Sequence, residues 1–419
     1  MKRLYDLFVL LFAGLAKSLS FCHTKTRLLV KGQRHTLSSI ERFKSKRREE
    51  LTWFHAASLG EYEQAKPVIL SYRKSFPDQA ILLTFFSPSG YENTIKKTQE
   101  PVDLITYLPF DTASNAKRFL EATNPKRVFF VKYEVWPNYL AEVRKKHIPL
   151  YLFSASFRSD QIYFKSYGGL FRQALGHFDH IFTQNSASVS LLEKIGIDKV
   201  SLSGDTRFDR VHMTRMNPKS FPELSPFTNG HKVMVIGSAW QEDMDILLPY
   251  INSMQGFQYI IAPHDINHQV IESWKAAIKH KSQRYSEWLK NPDIEAKLLF
   301  IDNIGMLSSL YQFAYIAYVG GAFGKGLHNI LEPIAFGIPV VFGKLRKESK
   351  FPEAGIAELA GCGFSVENAV QLNTVLTQLQ EGDRYVKACK ASEEYVEANL
   401  GSATKIIDKV IQLEKKDER

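Results

Sequence analysis

The chain has 419 residues, of which 44% are hydrophobic and 23% are charged, and its formal net charge is +10. This length exceeds one ordinary core, so the composition predicts a soluble globular protein with two domains. The three cysteines, Cys22, Cys362 and Cys389, lie far apart without a CxxC pair. Their spacing argues against a disulfide framework or a zinc site and fits a reducing cytosolic setting.

The N-terminal end is strongly basic. Residues 1–50 hold 12 Lys and Arg against 4 Asp and Glu, a net +8, which indicates an anionic partner. Lys2 and Arg3 precede the apolar stretch LYDLFVLLFAGLAKSLSF, whose uncharged run, Leu7–Ala16, is too short to span a bilayer. We interpret residues 1–25 as an interfacial helix or short signal-anchor on an anionic membrane surface, and we expect no nucleic acid. A buried N-terminal helix and a signal peptide are the alternatives.

Short apolar strands alternate with helical stretches after residue 50. The predicted strands are LTWFHAA, AILLTFFS, RVFFVKYE, PLYLFSAS, HIFTQN and KVSLSGD, and then KVMVIGSA, FQYIIAPH, KLLFIDN, IAYVGGAF and PVVFG. This alternation predicts βαβ units and parallel sheets covered by helices on both faces. We therefore predict an α/β protein with two doubly wound, Rossmann-like domains and a ligand cleft between them.

The alternation is interrupted once, by a stretch rich in proline, serine and asparagine. This stretch, NPKSFPELSPFTNG at residues 217–230, predicts a linker. The predicted domains accordingly cover residues 26–216 and 231–400, and the helical pattern SATKIIDKVIQLEKK predicts a terminal helix within 401–419.

The stretch HAASLGEYEQ, His55–Gln64, raises two alternatives for Glu61. Ser58 and Glu61 have the S-x-x-E spacing of a helix capping box. A carboxylate after a strand and a glycine-containing loop is also where an α/β enzyme places a general base. In that case Ser58 and Gly60 would fix the turn that aims Glu61.

Other charged residues lie near predicted strand ends. Glu134, in VKYEVWPN, follows a strand and precedes Trp136. It is either a cleft residue or a buried carboxylate paired with a cation. Arg207, in SGDTRFD, and Arg158, in SASFRS, would meet an anionic substrate group or an internal acid such as Asp209.

The segment VGGAFGKGLHNILEPIAFGIPVVFG, Val319–Gly343, runs from a strand into a loop with four glycines. Such a loop lets backbone N–H groups approach a phosphate, and a helix beginning near His328 or Asn329 would add partial positive charge. Asn329 and Glu332 also have cap spacing, so a capped helix after a turn is the alternative. The segment matches neither the P-loop nor the dinucleotide pattern. The strand-to-loop turn at Gly237–Ser238 is a second candidate for a phosphate or ribose contact.

No catalytic metal is predicted. DMD, at Asp243–Asp245, resembles the D-x-D of metal-dependent sugar transferases, but it lies in a predicted helix and we interpret it as a solvated face. The 12 histidines show no metal-binding spacing.

Five segments together resemble the Kdo transferases, which attach 3-deoxy-D-manno-octulosonic acid (Kdo) to the lipid A precursor. They are FHAASLGE, YEVWPN, LSGDTRFD, VIGSAWQED and the glycine-rich segment above, in the family's order. The resemblance spans roughly residues 27–410, and the apolar N-terminus is similar to the family's membrane anchor. It implies a GT-B fold, an acceptor domain followed by a donor domain, CMP-Kdo as donor substrate, and neither metal nor cofactor.

The resemblance also implies roles for individual residues. Glu61 matches the family's general base, and Glu134 matches a second essential acid. Arg207 and Arg158 are candidates for the Kdo carboxylate. The donor side would comprise Gly237, Ser238, His264, Gly321, Lys325, Gly326, His328, Asn329 and Glu332. The basic N-terminal third, including KSKRRE at Lys44–Glu49, would meet the phosphorylated lipid acceptor.

Three positions depart from the family pattern. Lys132 replaces the first acid of E-T-E-L-W-P, Ser156 replaces an arginine, and the arginine expected between Pro263 and His264 is missing. The expected function is inverting Kdo transfer in lipopolysaccharide core biosynthesis, at the cytoplasmic face of the inner membrane. Another GT-B enzyme, such as a nucleotide-sugar 2-epimerase or a UDP-sugar transferase, is one alternative. A membrane-associated binding protein with a dead site is the other.

Overall fold

The structure, a computed structural model, describes residues 1–47, 49–96, 101–253, 256–345 and 352–417. The chain divides into two compact units, Met1–Arg210 with Gly401–Arg419, and Val211–Leu400. Each unit contains one seven-stranded sheet. The predicted class of two doubly wound parallel sheets is confirmed.

The strands of both sheets are numbered in chain order. Those of the first unit are β1 (Leu51–His55), β2 (Ala80–Phe85), β3 (Leu104–Tyr107), β4 (Arg127–Val131), β5 (Leu150–Ala155), β6 (His180–Thr183) and β7 (Val200–Leu202). Those of the second are β8 (Lys232–Ala239), β9 (Phe257–Pro263), β10 (Ser282–Arg284), β11 (Leu298–Phe300), β12 (Ala314–Val319), β13 (Val340–Gly343) and β14 (Gly363–Val366). The strand orders are β3-β2-β1-β4-β5-β6-β7 and β10-β11-β9-β8-β12-β13-β14.

Helices alternate with these strands. In the first half they are α1 (Lys2–Leu19), α2 (Thr24–Arg34), α3 (Thr36–Lys46), α4 (Leu59–Ser75), α5 (Pro88–Thr94), α6 (Ala113–Thr123), α7 (Pro137–Lys145), α8 (Gly169–Leu175), α9 (Ser186–Glu193) and α10 (Thr206–Met216). In the second half they are α11 (Ser225–Thr228), α12 (Gln241–Ser253), α13 (His268–Ala277), α14 (Tyr285–Trp288), α15 (Leu307–Leu310), α16 (Leu331–Ala335), α17 (Pro352–Ala360), α18 (Ala369–Gln378), α19 (Gly382–Glu397) and α20 (Ser402–Asp417). Short 3-10 turns occur at Ile162–Phe164, Pro222–Leu224 and Tyr311–Phe313.

The central strands are covered on both faces, which explains their near-continuous apolar sequences. In β1, Trp53 and Phe54 point to opposite faces, and both are fully buried in separate apolar clusters. The cluster around Phe54 also contains residues of α4 and of the terminal helix α20, including Ile406. The Arg127 guanidinium, 3% exposed, binds the Glu414 carboxylate at 2.5 Å. The terminal helix is therefore part of the first unit.

The predicted linker lies inside the second unit. Residues 217–230 form a 3-10 turn and the short helix α11, in which Leu224 and Phe227 are buried. Proline and serine rightly predicted the irregular backbone, but the apolar side chains between them pack into the unit. The units divide instead between Arg210 and Val211, within α10.

The N-terminal helix α1 has two apolar faces. Val9, Ala13 and Ala16 pack against α2 and the residues that follow β3. The opposite side is exposed and carries Leu4, Leu7, Phe8, Leu10, Leu11, Leu15 and Leu19. Among the described residues, no single helix is long and apolar enough to cross a membrane, and α1 with α2 satisfies the criterion only as a pair bent by 115°.

Candidate functional site

Both predicted sites follow strands at which the strand order reverses. In open parallel sheets, ligands bind beyond the carboxyl ends of the strands at such a switch point. The first sheet reverses between β1 and β4, which lead to Glu61 and Glu134. The second reverses between β8 and β12, which lead to Gly237–Ser238 and the glycine-rich loop.

Glu61 lies in the first turn of α4, and the structure bears directly on the alternative of a helix cap. Ser58 occupies the N-cap position, but its side chain makes no capping hydrogen bond to the helix. Its hydroxyl instead donates a hydrogen bond to the Glu61 carboxylate. The expectation that Ser58 caps the helix is therefore wrong, and the hydroxyl orients the carboxylate. Gly60, in the same turn, is exposed.

The Glu134 carboxylate is largely enclosed, with its side chain 15% exposed. Burial, followed by the charge of Glu61, raises its pKa to about 7. A hydrogen bond from Trp136 Nε1 at 2.9 Å and the charge of Lys132 oppose this rise. Glu61 and Glu134 thus form an interacting pair of carboxylates, of which Glu134 gains or loses its proton near neutral pH.

His55, at the end of β1, is a buried neighbour of this pair that was not singled out from the sequence. Its Nδ1 lies 2.9 Å from Thr84 Oγ1, and its Nε2 lies 4.0 Å from Glu134 Oε2. Among the described residues, Nε2 has no hydrogen-bond partner. Burial lowers the pKa of His55 to about 3, so the imidazole is neutral at neutral pH.

The two candidate arginines are held differently. Arg207 Nη2 is 2.7 Å from the carboxylate oxygen Oδ2 of Asp205, an internal acid that was not predicted. Asp209, the acid named from the sequence, accepts the backbone N–H of Gly401. Arg158 is 56% exposed and lies 3.4 Å from Asp160.

Electrostatics place Arg158 near the carboxylate pair. Burial raises the pKa of Tyr133, and the charges of Glu61 and Glu134 raise it further. The charge of Arg158 opposes this rise. Both arginines remain candidates for contact with an anionic ligand.

The second unit contains a cavity of about 300 Å³ at its switch point, within the range of small-molecule sites. Four predicted donor residues line it: Ser238, His328, Asn329 and Glu332. Its other lining residues are Gly305, Leu307, Ser308, Tyr311 and Val319. Ser238 has a positive φ of 53°, a strained conformation that is common at functional sites.

The glycine-rich loop uses its own amides for folding. The N–H groups of Gly320, Gly321, Gly324 and Gly326 donate to Gly237 O, Asp243 Oδ2, Gly321 O and Gly321 O. Gly321 has φ +99°, and a Cβ there would lie 2.3 Å from Gly326 O, so only glycine fits. These glycines shape the turn, and their amides are already hydrogen bonded within the protein. Contact with a ligand is therefore left to the side chains of the loop.

The helix expected to begin near His328 or Asn329 begins at Leu331 and has five residues. The Asn329 side chain accepts the Leu331 N–H at 3.2 Å and donates to Glu332 at 3.3 Å. Asparagine favours such a local turn over a first helical turn, which explains the late start. The predicted helix dipole at this site is consequently small.

An aromatic stack joins three loops beside this cavity. The Trp240 ring stacks on His264 at 4.3 Å, and His264 stacks on His328 at 4.5 Å. Trp240 Nε1 donates to His328 Nε2 at 3.2 Å, and burial lowers the pKa of His328, so this imidazole is neutral. The Lys325 ammonium lies 4.2 Å above the Trp240 ring. This cation–π contact keeps the positive charge of the lysine at the edge of the site.

Asp243, interpreted from the sequence as part of a solvated helix face, is fully buried. Its carboxylate accepts hydrogen bonds from Trp240 N, Gly321 N and Tyr318 Oη, each at 2.9 Å. Asp243 thus fastens the glycine-rich loop to the start of α12, while Asp245 is exposed as predicted. The position just after a strand, at the start of a helix, was the available signal.

Asp243→Ala is expected to lower the free energy of unfolding by about 2 kcal/mol, because three buried donors lose a charged acceptor. The same change should weaken binding of a nucleotide to the cavity. Urea unfolding and calorimetric titration with CMP measure the two effects. Asp245→Ala is the matched control, and equal effects of the two substitutions would contradict this role.

Within the described ranges, no group of three or more His, Cys, Asp or Glu side chains is arranged to hold a metal ion. DMD in particular forms no such group, since Asp243 is committed to the loop.

The chain is similar in sequence to known proteins. Residues 33–210 match the family model for 3-deoxy-D-manno-octulosonic-acid transferase. The enzyme of that name from Aquifex aeolicus is 28% identical over 82% of this chain and 89% of its own. The one from Chlamydophila psittaci is 26% identical over 78% and 77%. Residues 33–210 are thus similar to a Kdo transferase domain. The resemblance seen in the sequence is confirmed, and the relationship supports a Kdo glycosyltransferase.

Solved structures of low sequence identity show the fold. UDP-GlcNAc 2-epimerase from Neisseria meningitidis has a TM-score of 0.63, with 18% identity over 87% of this chain and 99% of that one. A glycosyltransferase from Rickettsia africae has a TM-score of 0.56, with 13% identity over 88% and 100%. The predicted GT-B fold is confirmed.

Lys132, which replaces an acid of the family pattern, contributes to the carboxylate site. Its charge lowers the pKa of Glu134, and its backbone has a positive φ of 61°. The lysine thus offsets part of the cost of two neighbouring carboxylates.

Lys132→Glu, which restores the acid of the family pattern, should raise the pKa of Glu134 further, because a favourable charge is replaced by an unfavourable one. Because Glu134 acts in its protonated form, we expect the alkaline limb of the pH–rate profile to move towards higher pH. Rates measured from pH 5 to 10 test this. Lys132→Gln should give an intermediate shift, and an unchanged profile in both variants would contradict the assignment.

Proposed function

We propose that this protein transfers Kdo from CMP-Kdo to a phosphorylated, lipid IVA-like lipid A precursor in lipopolysaccharide core biosynthesis. The reaction is an inverting displacement that needs no metal or cofactor. The observation that carries the proposal is the carboxylate pair Glu61–Glu134 at a switch point, with Ser58 orienting one member and burial raising the pKa of the other to about 7.

The donor is assigned to the cavity of the second unit. Side chains of Ser238, Asn329 and Glu332 offer hydrogen-bond partners for the ribose and base of CMP. Lys325, held over Trp240, supplies a positive charge for the phosphate. His264 stacks within the same array, and this array takes over the role of the family's missing arginine.

The chemical step follows from the properties of the carboxylates. The acceptor hydroxyl attacks the anomeric carbon of Kdo, its proton passes to the Glu61 carboxylate, and the bond to the phosphate oxygen breaks with its electron pair on CMP. A base on the face opposite the leaving group gives inversion, by analogy with inverting glycosidases. Glu134, in its protonated form, donates a hydrogen bond to the sugar or acceptor, and Arg158 or Arg207 binds the Kdo carboxylate.

The lipid acceptor is assigned from the N-terminal helices. The exposed leucines and phenylalanines of α1 form an apolar face, and Lys2, Arg3 and Lys17 flank it. Such a helix lies in the interface of an anionic bilayer, so we propose a peripheral position at the cytoplasmic face of the inner membrane. The basic stretch 44–49 would meet the acceptor phosphates, although its Arg48 lies outside the described residues.

The direct test is transfer from CMP-Kdo to a tetra-acylated lipid A precursor in detergent or vesicles, followed by mass spectrometry. We expect a product heavier by one or more Kdo residues, and no loss of activity with EDTA. Folded protein that transfers no Kdo would overturn the proposal. Conversion of UDP-GlcNAc to its 2-epimer under the same conditions would indicate the epimerase alternative.

A further inference from the structure

The N-terminal helix is attached by hydrogen bonds to the segment that carries Glu134. The Tyr5 hydroxyl of α1 donates to Asp111 Oδ2 at 2.7 Å, and Asn138 Nδ2 donates to Asp6 Oδ1 at 2.9 Å. Asp111 is 1% exposed and also accepts the backbone N–H groups of Asn138 at 3.1 Å and Tyr139 at 2.9 Å. One carboxylate thus joins α1 to the first turn of α7.

The first turn of α7 is in turn close to the reaction centre. Helix α7 begins at Pro137, whose ring fixes the backbone, and the preceding Trp136 donates its indole N–H to Glu134. Three residues, 135–137, separate Asn138 from Glu134, and one of them, Trp136, hydrogen bonds the Glu134 carboxylate. At its other end, the connection begins on α1, on the side of the helix that packs against the rest of the first unit.

Aromatic contacts provide a parallel connection between the same two ends. Phe12 of α1 packs edge-on against Phe110 at 5.8 Å, and Phe110 packs against Phe86 at 5.9 Å. Phe86 packs against Trp136 at 4.9 Å. The hydrogen-bonded route ends at the first turn of α7, and the aromatic route ends at Trp136, which hydrogen bonds Glu134. The helix α1 is therefore linked to the reaction centre by two routes.

We propose that α1 couples docking on a lipid surface to the position of the Glu134 carboxylate, with Tyr5 and Asp6 as the positioning residues. This inference rests on the proposed function. The two faces of α1 divide the roles: its exposed leucines enter the lipid interface, while Tyr5 and Asp6 hold the start of α7. Seating α1 on the membrane fixes α7 and orders Glu134 where the lipid acceptor is presented.

The experiment compares two pairs of variants of the full chain. Tyr5→Phe and Asp6→Ala remove the two hydrogen bonds, and Tyr5→Phe keeps the ring that packs against Phe171 at 5.9 Å. Leu7→Gln and Leu11→Gln change only the exposed face, where these side chains are 53% and 65% exposed. Each protein is assayed for sedimentation with phosphatidylglycerol–phosphatidylethanolamine vesicles and for kinetics with acceptor in those vesicles. Hydrogen exchange of residues 134–143 is measured with and without vesicles.

The hydrogen-bond variants are expected to bind vesicles like the wild type, with unchanged KM and kcat lowered about tenfold. They should also lose the protection that vesicles give residues 134–143. The exposed-face variants should instead weaken sedimentation and raise the apparent KM. Asp6→Asn keeps an oxygen for Asn138 and should restore kcat, which a requirement for charge alone would not predict.

Several outcomes would overturn the inference. These are a kcat within about twofold of wild type in both folded hydrogen-bond variants, or exchange of residues 134–143 that does not respond to vesicles in the wild type. Loss of sedimentation in the hydrogen-bond variants would show that Tyr5 and Asp6 only hold the helix in place. If Tyr5→Phe does not fold, Asp6→Ala carries the test. If the wild type transfers no Kdo, the proposed function fails, yet the exchange comparison still decides the coupling.

Discussion

Glu61→Gln is expected to lower the rate of Kdo transfer by about 10²–10⁴-fold, the usual contribution of a general base. The amide has nearly the shape of the carboxylate and can still accept the hydrogen bond from the Ser58 hydroxyl. Because the Ser58 side chain makes no capping bond to α4, the substitution removes no such bond from the helix. What is lost is the ability to take the proton of the acceptor hydroxyl.

The measurement is the initial rate at saturating donor and acceptor, with circular dichroism and thermal unfolding to establish that the variant is folded. Ser58→Ala serves as the matched control. It removes only the bond that orients Glu61, so we expect a loss of about tenfold. A Glu61→Gln variant that keeps more than about a tenth of wild-type activity would assign the base to another residue.

Glu134→Gln is expected to stabilise the protein in alkaline solution. The folded state raises the pKa of Glu134 from 4.5 to about 7, so it holds this proton more tightly than the unfolded chain does. The resulting stabilisation is fully present below pH 4.5 and is lost as the pH rises through 7. Above pH 7 the ionised carboxylate therefore costs about 3 kcal/mol, which a neutral glutamine avoids.

Urea unfolding of both proteins at pH 4.5 and pH 8.5 measures this difference. The variant should be the more stable at pH 8.5 by about 3 kcal/mol, and the advantage should shrink towards zero at pH 4.5. His55, whose lowered pKa makes the fold less stable in acid, is present in both proteins and cancels in the comparison. Glu121→Gln, at an exposed position of α6, is the control. A difference that does not depend on pH would contradict the raised pKa.

The order of elements was accessible from the sequence because buried parallel strands and glycine turns leave strong local signals. All eleven predicted strands match strands of the sheets. Glu61, Glu134 and the glycine-rich loop follow strands as expected. Three short strands, β3, β10 and β14, were not predicted. All three lie at sheet edges, where side chains are only partly buried, so their sequence patterns are weak.

The contacts of the sites were less accessible, because they join residues that are distant in sequence. The position of Asp243 after a strand is a local signal, but it does not identify Gly321, 78 positions away, as the partner of its carboxylate. The stack of Trp240, His264 and His328 likewise requires three loops to meet. At the amino end of α4, the S-x-x-E spacing predicted a cap. The serine hydroxyl instead donates a charge-assisted hydrogen bond to the neighbouring carboxylate, and its oxygen accepts no backbone N–H of the helix.

The return of α20 to the first unit has a consequence for synthesis. The core around Phe54 includes Ile406, and Arg127 meets its acid at Glu414. During translation, the first 210 residues therefore leave the ribosome long before the last part of their core is synthesised. The whole second unit is synthesised between these two events. Until α20 is synthesised, the core of the first unit is incompletely covered and exposes apolar surface. At this stage a nascent chain depends most on chaperones.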